Sequence, residues 1–352
     1  MPTEIELLRD LVAIPSVSGA EEAVARFLEA TARQAALPVA RDDASVTMVF
    51  DSGKPGPTLA FLSHLDVVPP GAGWTRDPFT PVIEDGRLYG RGSGDAKASV
   101  AAMTLGAADA ASGLRAGRLL LLFGYGEETR HTTMPVAVER AGRIDAAVVG
   151  EPTSLSVAIA QRGLMMADLV ARGPQRHAGY ASEDGDAPNA AIALARDLVR
   201  LDGIVAERMH PVLGAATVTP TMLEAGVSRN VTPPQAKAVL DIRSTPAWPH
   251  PELAAALRER LTCEVRITSD RLVPCETPAD SSLLAAARRV RPELTTFGSA
   301  TCSDWVFVRD CDAVKCGPGT SRRSHTADEC VDLAEVTAAR AFYRDLAQEY
   351  LQ

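Results

Sequence analysis

The chain has 352 residues, 46% of them hydrophobic and 23% charged, which is too long for one ordinary core and enough for about two. Its formal net charge of −9 argues against a nucleic-acid or anionic-membrane partner, either of which calls for a basic face. No apolar run approaches the ~18 residues of a bilayer span, and the acidic start Met1-Pro2-Thr3-Glu4-Ile5-Glu6 lacks a charged-then-apolar leader, so a cytoplasmic protein is expected.

Ser18 and Glu21 stand at capping-box spacing ahead of an apolar stripe of Ala23, Phe27, Leu28 and Ala35, which predicts a helix opening there. Thr58 to Ser63 reads as a buried strand, Asp85-Gly86 as a hairpin turn, Lys97 to Ala111 as a helix and Ile144 to Val149 as a second buried strand. Alternating elements favour an α/β fold, a mainly parallel mixed sheet covered by helices. Past Gln161-Arg162-Gly163 the pattern changes. Met165 to Ala171, Thr217 to Ala225 and Ala236 to Arg243 read as strands, and Asn189 to Leu201 and Pro251 to Leu261 as helices. That series suits an inserted α+β domain, a small open sheet with helices on one face. The expected division sets 1–162 with 272–352 against 163–271, and a closing helix starts at Leu333. Cys263, Cys275, Cys302, Cys311, Cys316 and Cys330 gather in the last quarter without a Cys-x-x-Cys pair, so free, mostly buried thiols are expected.

Five potential metal ligands follow apolar runs: His64, Asp95, Glu128, Glu151 and His325. In open α/β sheets chemistry collects beyond the carboxyl ends of the strands, so such residues converge even when distant in sequence. Glu127-Glu128 closes the run Leu119-Leu120-Leu121-Leu122-Phe123-Gly124-Tyr125-Gly126. Adjacent glutamates usually form a solvated turn, but these follow large apolar residues that must be buried, and burying two carboxylates without cations is costly. Two imidazoles and three carboxylates, one of them bridging, would give each of two divalent ions one of each and a share of the bridge, with room for a shared water. Glu127 is then left over beside the water, where a general base belongs. Taken singly these signals are weak: His64 alone reads as a structural histidine, and Asp95 as the cap of the next helix.

Together the segments spell more. Ser63-His64-Leu65-Asp66-Val67-Val68, Leu88-Tyr89-Gly90-Arg91-Gly92-Ser93-Gly94-Asp95-Ala96-Lys97, Val148-Val149-Gly150-Glu151-Pro152-Thr153 and Ser324-His325-Thr326-Ala327-Asp328-Glu329 resemble, in order and over nearly the whole chain, the motifs of the M20 family of dinuclear metallohydrolases. The likeness is to the branch of acetylornithine deacetylase and succinyl-diaminopimelate desuccinylase. It implies a zinc-peptidase-like catalytic domain with an inserted lid and dimerisation domain. It further implies that His64 and Glu151 hold one metal, that Glu128 and His325 hold the other, and that Asp95 bridges them before a cis peptide. Glu127 would be base and proton shuttle, and Asp66 would orient the His64 ring. Two positions depart from the family: Gly126 stands where an aspartate is usual, and Ala96-Lys97-Ala98 where Met-Lys-Gly is usual.

Within the same resemblance, Gly173-Pro174-Gln175-Arg176-His177-Ala178 looks like the lid motif whose histidine reaches a neighbour's site across a homodimer, and Arg243, Asn230 and Arg162 fall at positions that bind substrate. Without it, His177 is a solvated loop histidine, Arg243 a strand-end salt bridge and Asn230 a turn residue. His131, His210 and His250 lie beside loop signals and receive no role. The cofactors expected are two divalent ions, Zn2+ or Co2+, though nitrogen and oxygen ligands also accept Mn2+. The implied activity is hydrolysis of the amide of an N-acyl amino acid, a small-molecule substrate. Gly73-Trp74-Thr75-Arg76-Asp77-Pro78-Phe79, Gly163-Leu164-Met165 and Phe297-Gly298-Ser299-Ala300-Thr301 look most like acyl-ornithine deacylases, hence N-acetylornithine deacetylation in arginine biosynthesis. Alternatives are deacylation of N-succinylornithine, N-acetylcitrulline or succinyl-diaminopimelate, since Arg130, Arg322 and Arg323 could each meet a succinyl carboxylate, or a dipeptidase. From another class, a non-catalytic binding protein on the same fold has no need of Glu127 beside a filled ligand set.

Overall fold

Thr58–His64 and Arg118–Gly124, each seven residues long and buried almost throughout, pair in parallel at the heart of a mixed sheet. Ala146–Val149 and Asp312–Lys315 extend the parallel order on one side, and Ser45–Asp51 runs antiparallel on the other. In the computed structural model, residues 1–181 and 189–352 are described, and they form two units. These strands belong to the first, Met1–Ile159 with Thr277–Phe297 and Ser303–Gln352.

Strands buried on both faces read as unbroken apolar runs and need cover on both sides. Glu4–Val12, Lys97–Ala110 and Leu333–Tyr350 contribute to one shared core with them, in which the Phe61 and Tyr343 rings lie 5.3 Å apart. Lys97–Ala110 is buried along almost its whole length. A Cβ at Gly106 would come within 2.8 Å of the Arg340 carbonyl, so the two long helices can approach this closely only with glycine there. The Asp85-Gly86 hairpin is present between Val82–Glu84 and Arg87–Tyr89, with φ of 49° and 73° as a type I′ turn demands.

One predicted helix start differs. Helix Glu22–Gln34 exists, but Glu21 makes no side-chain cap bond and the buried stripe is Val24, Ala25, Leu28 and Ala32 rather than one through Ala23. Ser18 Oγ donates instead to Asp66 Oδ2 at 2.7 Å, and Glu21 Oε1 accepts from the N–H of Gly19 at 2.8 Å and of Gly126 at 3.1 Å. Both polar side chains are used by distant loops. A complete capping box does occur, at Thr3 and Glu6 ahead of Glu4–Val12.

The second unit, Ala160–Glu276 with Gly298–Cys302, holds an antiparallel sheet in the order Thr217–Ala225, Gln235–Ser244, Gly163–Arg172, Glu264–Leu272. Burial alternates along Gln235–Ser244, the mark of a sheet with one covered face. Met165, Leu169, Leu240 and Ile242 pack there with Leu194 and Leu201 of helix Ala190–Val205 and Leu253 and Leu257 of helix His250–Arg260. All six cysteines are free thiols, four of them buried. Among the described residues no helix is long and apolar enough to cross a membrane.

Candidate metal centre

The carboxyl ends of the central strands deliver the predicted ligands to one place. His64 is the last residue of its strand, Glu128 follows Arg118–Gly124, and Glu151 follows Ala146–Val149. Two groups have ligand atoms mutually within 4.8 Å: His64, Asp95 and Glu151, and Asp95, Glu128 and His325. Asp95 belongs to both, and its two oxygens face different imidazoles. Oδ1 lies 3.3 Å from His64 Nε2, and Oδ2 lies 3.6 Å from His325 Nε2. His64 Nε2 is also 3.8 Å from Glu151 Oε1, and His325 Nε2 is 2.9 Å from Glu128 Oε2.

The chemistry of this cluster fits cations. His64 Nε2 and Glu151 Oε1 are buried and find no hydrogen-bond partner among the described residues. Burial, with the charge of Asp95 beside it, pushes the Glu151 carboxyl up to about 8. Burial likewise drives Glu127 well above the carboxylate range, and Glu151 adds to the effect. Burial works against a charged His64, yet the Asp66 and Asp95 carboxylates beside it outweigh that and raise the imidazole well above its ordinary value. Carboxylates so crowded in a dry site are relieved by divalent ions, and imidazole with carboxylate suits Zn2+, Co2+ or Mn2+.

Surrounding groups hold the ligands. His64 Nδ1 meets the main-chain oxygen of Asp66 at 3.0 Å, closer than the Asp66 carboxylate at 3.4 Å, so the carbonyl orients the ring. The carboxylate accepts instead from the N–H of Glu127 at 3.0 Å and of Glu128 at 3.1 Å. Glu329 Oε1 accepts from the N–H groups of Gly94 and Asp95, both at 3.0 Å, while its Oε2 pairs with buried Arg91 at 2.5 Å. The Asp95-Ala96 peptide is cis, and Asp95 does not cap the following helix. Lys97 Nζ donates to the carbonyls of Leu11 at 2.9 Å and Ile14 at 3.0 Å. At Gly126 φ is 68°, a conformation that favours glycine.

Residues 60–349 match peptidase family M20/M25/M40. The chain belongs to this family of amide hydrolases. M20-type similarity extends over whole lengths. The succinyl-diaminopimelate desuccinylase of Methylorubrum populi is 30% identical, covering 98% of each chain, and that of Xanthomonas euvesicatoria pv. vesicatoria is 31% identical, covering 100% of each. Among solved structures, the M20 metallo-carboxypeptidase Sso-CP2 of Sulfolobus solfataricus superposes with a TM-score of 0.79 at 18% identity, covering 100% of each chain. The dinuclear metal binding M20 peptidase YXEP of Bacillus subtilis gives 0.75 at 16% identity, covering 99% of this chain and 97% of its own.

The M20 resemblance also singles out residues of the second unit. His177 is exposed, its Nδ1 accepts from Gly179 N–H at 3.1 Å, and Ala178 N–H donates to the carbonyl of Asn230 at 2.8 Å. Asn230 Oδ1 accepts from Ser228 Oγ at 3.0 Å. Arg243 is taken by Asp241 through Nε at 2.7 Å and Nη2 at 3.0 Å. Arg162 donates to the carbonyls of Arg243 at 3.2 Å and Leu213 at 2.7 Å. His210 Nδ1 accepts from the N–H groups of Val212 and Leu213 while its Nε2 lies 3.2 Å from Glu276 Oε1, and His250 is bonded to Ser244 and the Asp270 carbonyl.

His131, given no role in the sequence reading, lies beside the predicted base. Its Nδ1 lies 3.0 Å from Asp304 Oδ1 and 3.7 Å from Glu127 Oε1, and these three buried residues form a further compact group of ligand-type atoms. The sequence signal was its place four residues after Glu127, in the same turn.

Proposed function

We propose that this protein is a dinuclear metal-dependent deacylase of N-acyl amino acids, with an N-succinyl substrate of the succinyl-diaminopimelate type as its leading substrate. The observation that carries the reading is Asp95, shared between two imidazole-carboxylate groups with one oxygen toward each. The desuccinylase relatives support the succinyl group. N-Acetylornithine is the second reading, on the motif spelling alone.

His64, Asp95 and Glu151 would hold one ion, and Asp95, Glu128 and His325 the other, with zinc or cobalt as the metal. When bound, such ions polarise the amide carbonyl and make water a nucleophile near neutral pH. Glu127 takes the proton of the attacking water and returns it to the leaving amine. Asp66 fixes the backbone that carries Glu127 and Glu128. Arg243, with Nη1 outside its pair with Asp241, grips the substrate α-carboxylate, aided by Asn230 and Arg162. The active unit is a homodimer in which His177 of the partner subunit donates to the oxyanion. Free thiols fit a cytoplasmic enzyme.

Steady-state rates on succinyl-diaminopimelate, succinyl-ornithine, acetyl-ornithine and acetyl-citrulline, before and after chelation, test this. Chelation abolishes turnover, Zn2+ or Co2+ restores it, and kcat/KM for the succinyl substrate exceeds that for acetylornithine by about tenfold or more. The reverse preference selects the second reading, and undiminished turnover without metal overturns both. Mixing His177→Ala with Glu127→Gln recovers partial activity if sites are completed in trans. Verified mixed dimers without recovery refute that arrangement.

A further inference from the structure

We propose that His131, anchored by Asp304, is a positioning residue that fixes the Glu127 carboxylate in its working orientation. The inference rests on the reading of Glu127 as the base. Glu127 has its N–H tied to Asp66, but that bond leaves its side-chain torsions free. An unrestrained carboxylate beside two metal sites can swing away from the water or become a ligand, so a base there needs a lateral partner.

The turn after the strand Arg118–Gly124 supplies one. The Gly126 carbonyl accepts from Arg130 N–H at 3.1 Å and His131 N–H at 2.9 Å, closing a tight loop that carries Glu127 and His131 together. His131 has φ of 48°, the left-handed region that non-glycine residues seldom enter but that His and Asn enter more readily than most. Such strained residues persist where surrounding structure over-determines them, often at functional sites. In this conformation the ring nitrogen Nδ1 faces Glu127 Oε1 at 3.7 Å and Asp304 Oδ1 at 3.0 Å. Asp304 opens the short helix Asp304–Val308, seated by the buried Trp305, and Phe307 of that helix lies 6.2 Å from the His131 ring. Asp304 and Glu127 thus face the same edge of the ring, Asp304 in hydrogen-bond reach from a packed element and Glu127 just beyond it.

The test uses metal-loaded full-length protein and measures kcat, KM, bound metal and melting temperature together. His131→Ala lowers kcat about 10–100-fold, as outer partners of active groups do, with KM and both metals kept. Asp304→Asn moves kcat the same way and carries the test if His131→Ala does not fold. His131→Asn recovers most of the rate, because Asn Nδ2 sits where His Nδ1 sits and Asn accepts the left-handed backbone. The inference is overturned if the folded His131→Ala or Asp304→Asn keeps kcat within about twofold of wild type, if the loss follows KM or metal content, or if His131→Asn is as slow as His131→Ala. A third tightly held zinc that disappears in His131→Ala also overturns it, because the trio is then a metal site. Glu127→Gln in the same assay separates the two failures. If that variant is active the base reading falls, and if it is inactive while His131→Ala is unimpaired only the positioning role falls.

Discussion

Replacing Asp66 by Asn alters one atom of a fully buried side chain and should unseat a metal ligand that it holds only through the backbone. Asp66 Oδ1 accepts from Glu127 N–H, and Oδ2 accepts from Glu128 N–H and Ser18 Oγ. Burial works against its charge, yet the His64 imidazole beside it and the hydrogen bond from Ser18 hold its carboxyl down at about 2, so it is an anion at any working pH. A carboxamide keeps one oxygen. With that oxygen toward Glu127, the NH2 meets Ser18, which can rotate to accept, and Glu128 N–H, which cannot. The opposite flip strands Glu127 N–H. One buried donor left without an acceptor costs about 1–3 kcal/mol, and the surviving bonds lose the charge that roughly doubles them, for a total of about 2–4 kcal/mol. At about 1.4 kcal/mol per tenfold, with part of the cost relaxing away, affinity at the Glu128–His325 site should fall about 10–100-fold. Competition against a chelator of known affinity measures this directly, and thermal melting should show a parallel drop. Wild-type affinity for both metals with unchanged melting would refute the reasoning.

Three further outcomes follow from the same geometry. Glu127→Gln should lose on the order of 10² or more in kcat while retaining both metals, and loss of metal would make Glu127 a ligand instead. Glu151 has its folded-state carboxyl raised above the unfolded value, so without metal the folded state binds the extra proton and stability falls as pH rises from about 5 to 8. Melts of chelated protein should therefore show a decline across that window, on the order of a few kcal/mol, that shrinks in Glu151→Gln and on metal loading; a decline unaffected by either change would contradict the assignment. Arg243→Lys keeps charge but loses the fork, so kcat/KM should drop about tenfold for substrates with an α-carboxylate. An equal drop on a substrate lacking that carboxylate would assign Arg243 a structural part only.

What the sequence makes legible is what burial dictates. Thr58–His64 and Ala146–Val149 are covered on both faces, so they spell continuous apolar runs, and the ligands His64 and Glu151 fall at their ends. Asp85-Gly86 is equally plain because a tight turn needs two positive φ values. Illegible are the places where a local pattern is taken over by a distant partner. Ser18 and Glu21 have the spacing of a cap, but their side chains answer donors and acceptors 48 and 105 residues away. His131 looked like an ordinary loop histidine because its anchor, Asp304, is 173 residues further on. Arg243 stands at a substrate-binding position by resemblance, while its guanidinium pairs with Asp241 two residues earlier, a contact readable from the sequence as a strand-end ion pair.

The shared position of Asp95 is the centre of the account, and metal stoichiometry tests it most directly. Protein assayed for turnover and for bound divalent ions by elemental analysis should carry two equivalents when active. Asp95→Ala should lose turnover and fail to hold both ions, whereas His325→Ala should lose ligation on one side only and keep the ion held by His64 and Glu151. Full turnover with no bound divalent ion, or an Asp95→Ala variant that keeps two ions and its rate, would contradict a bridged two-metal hydrolase.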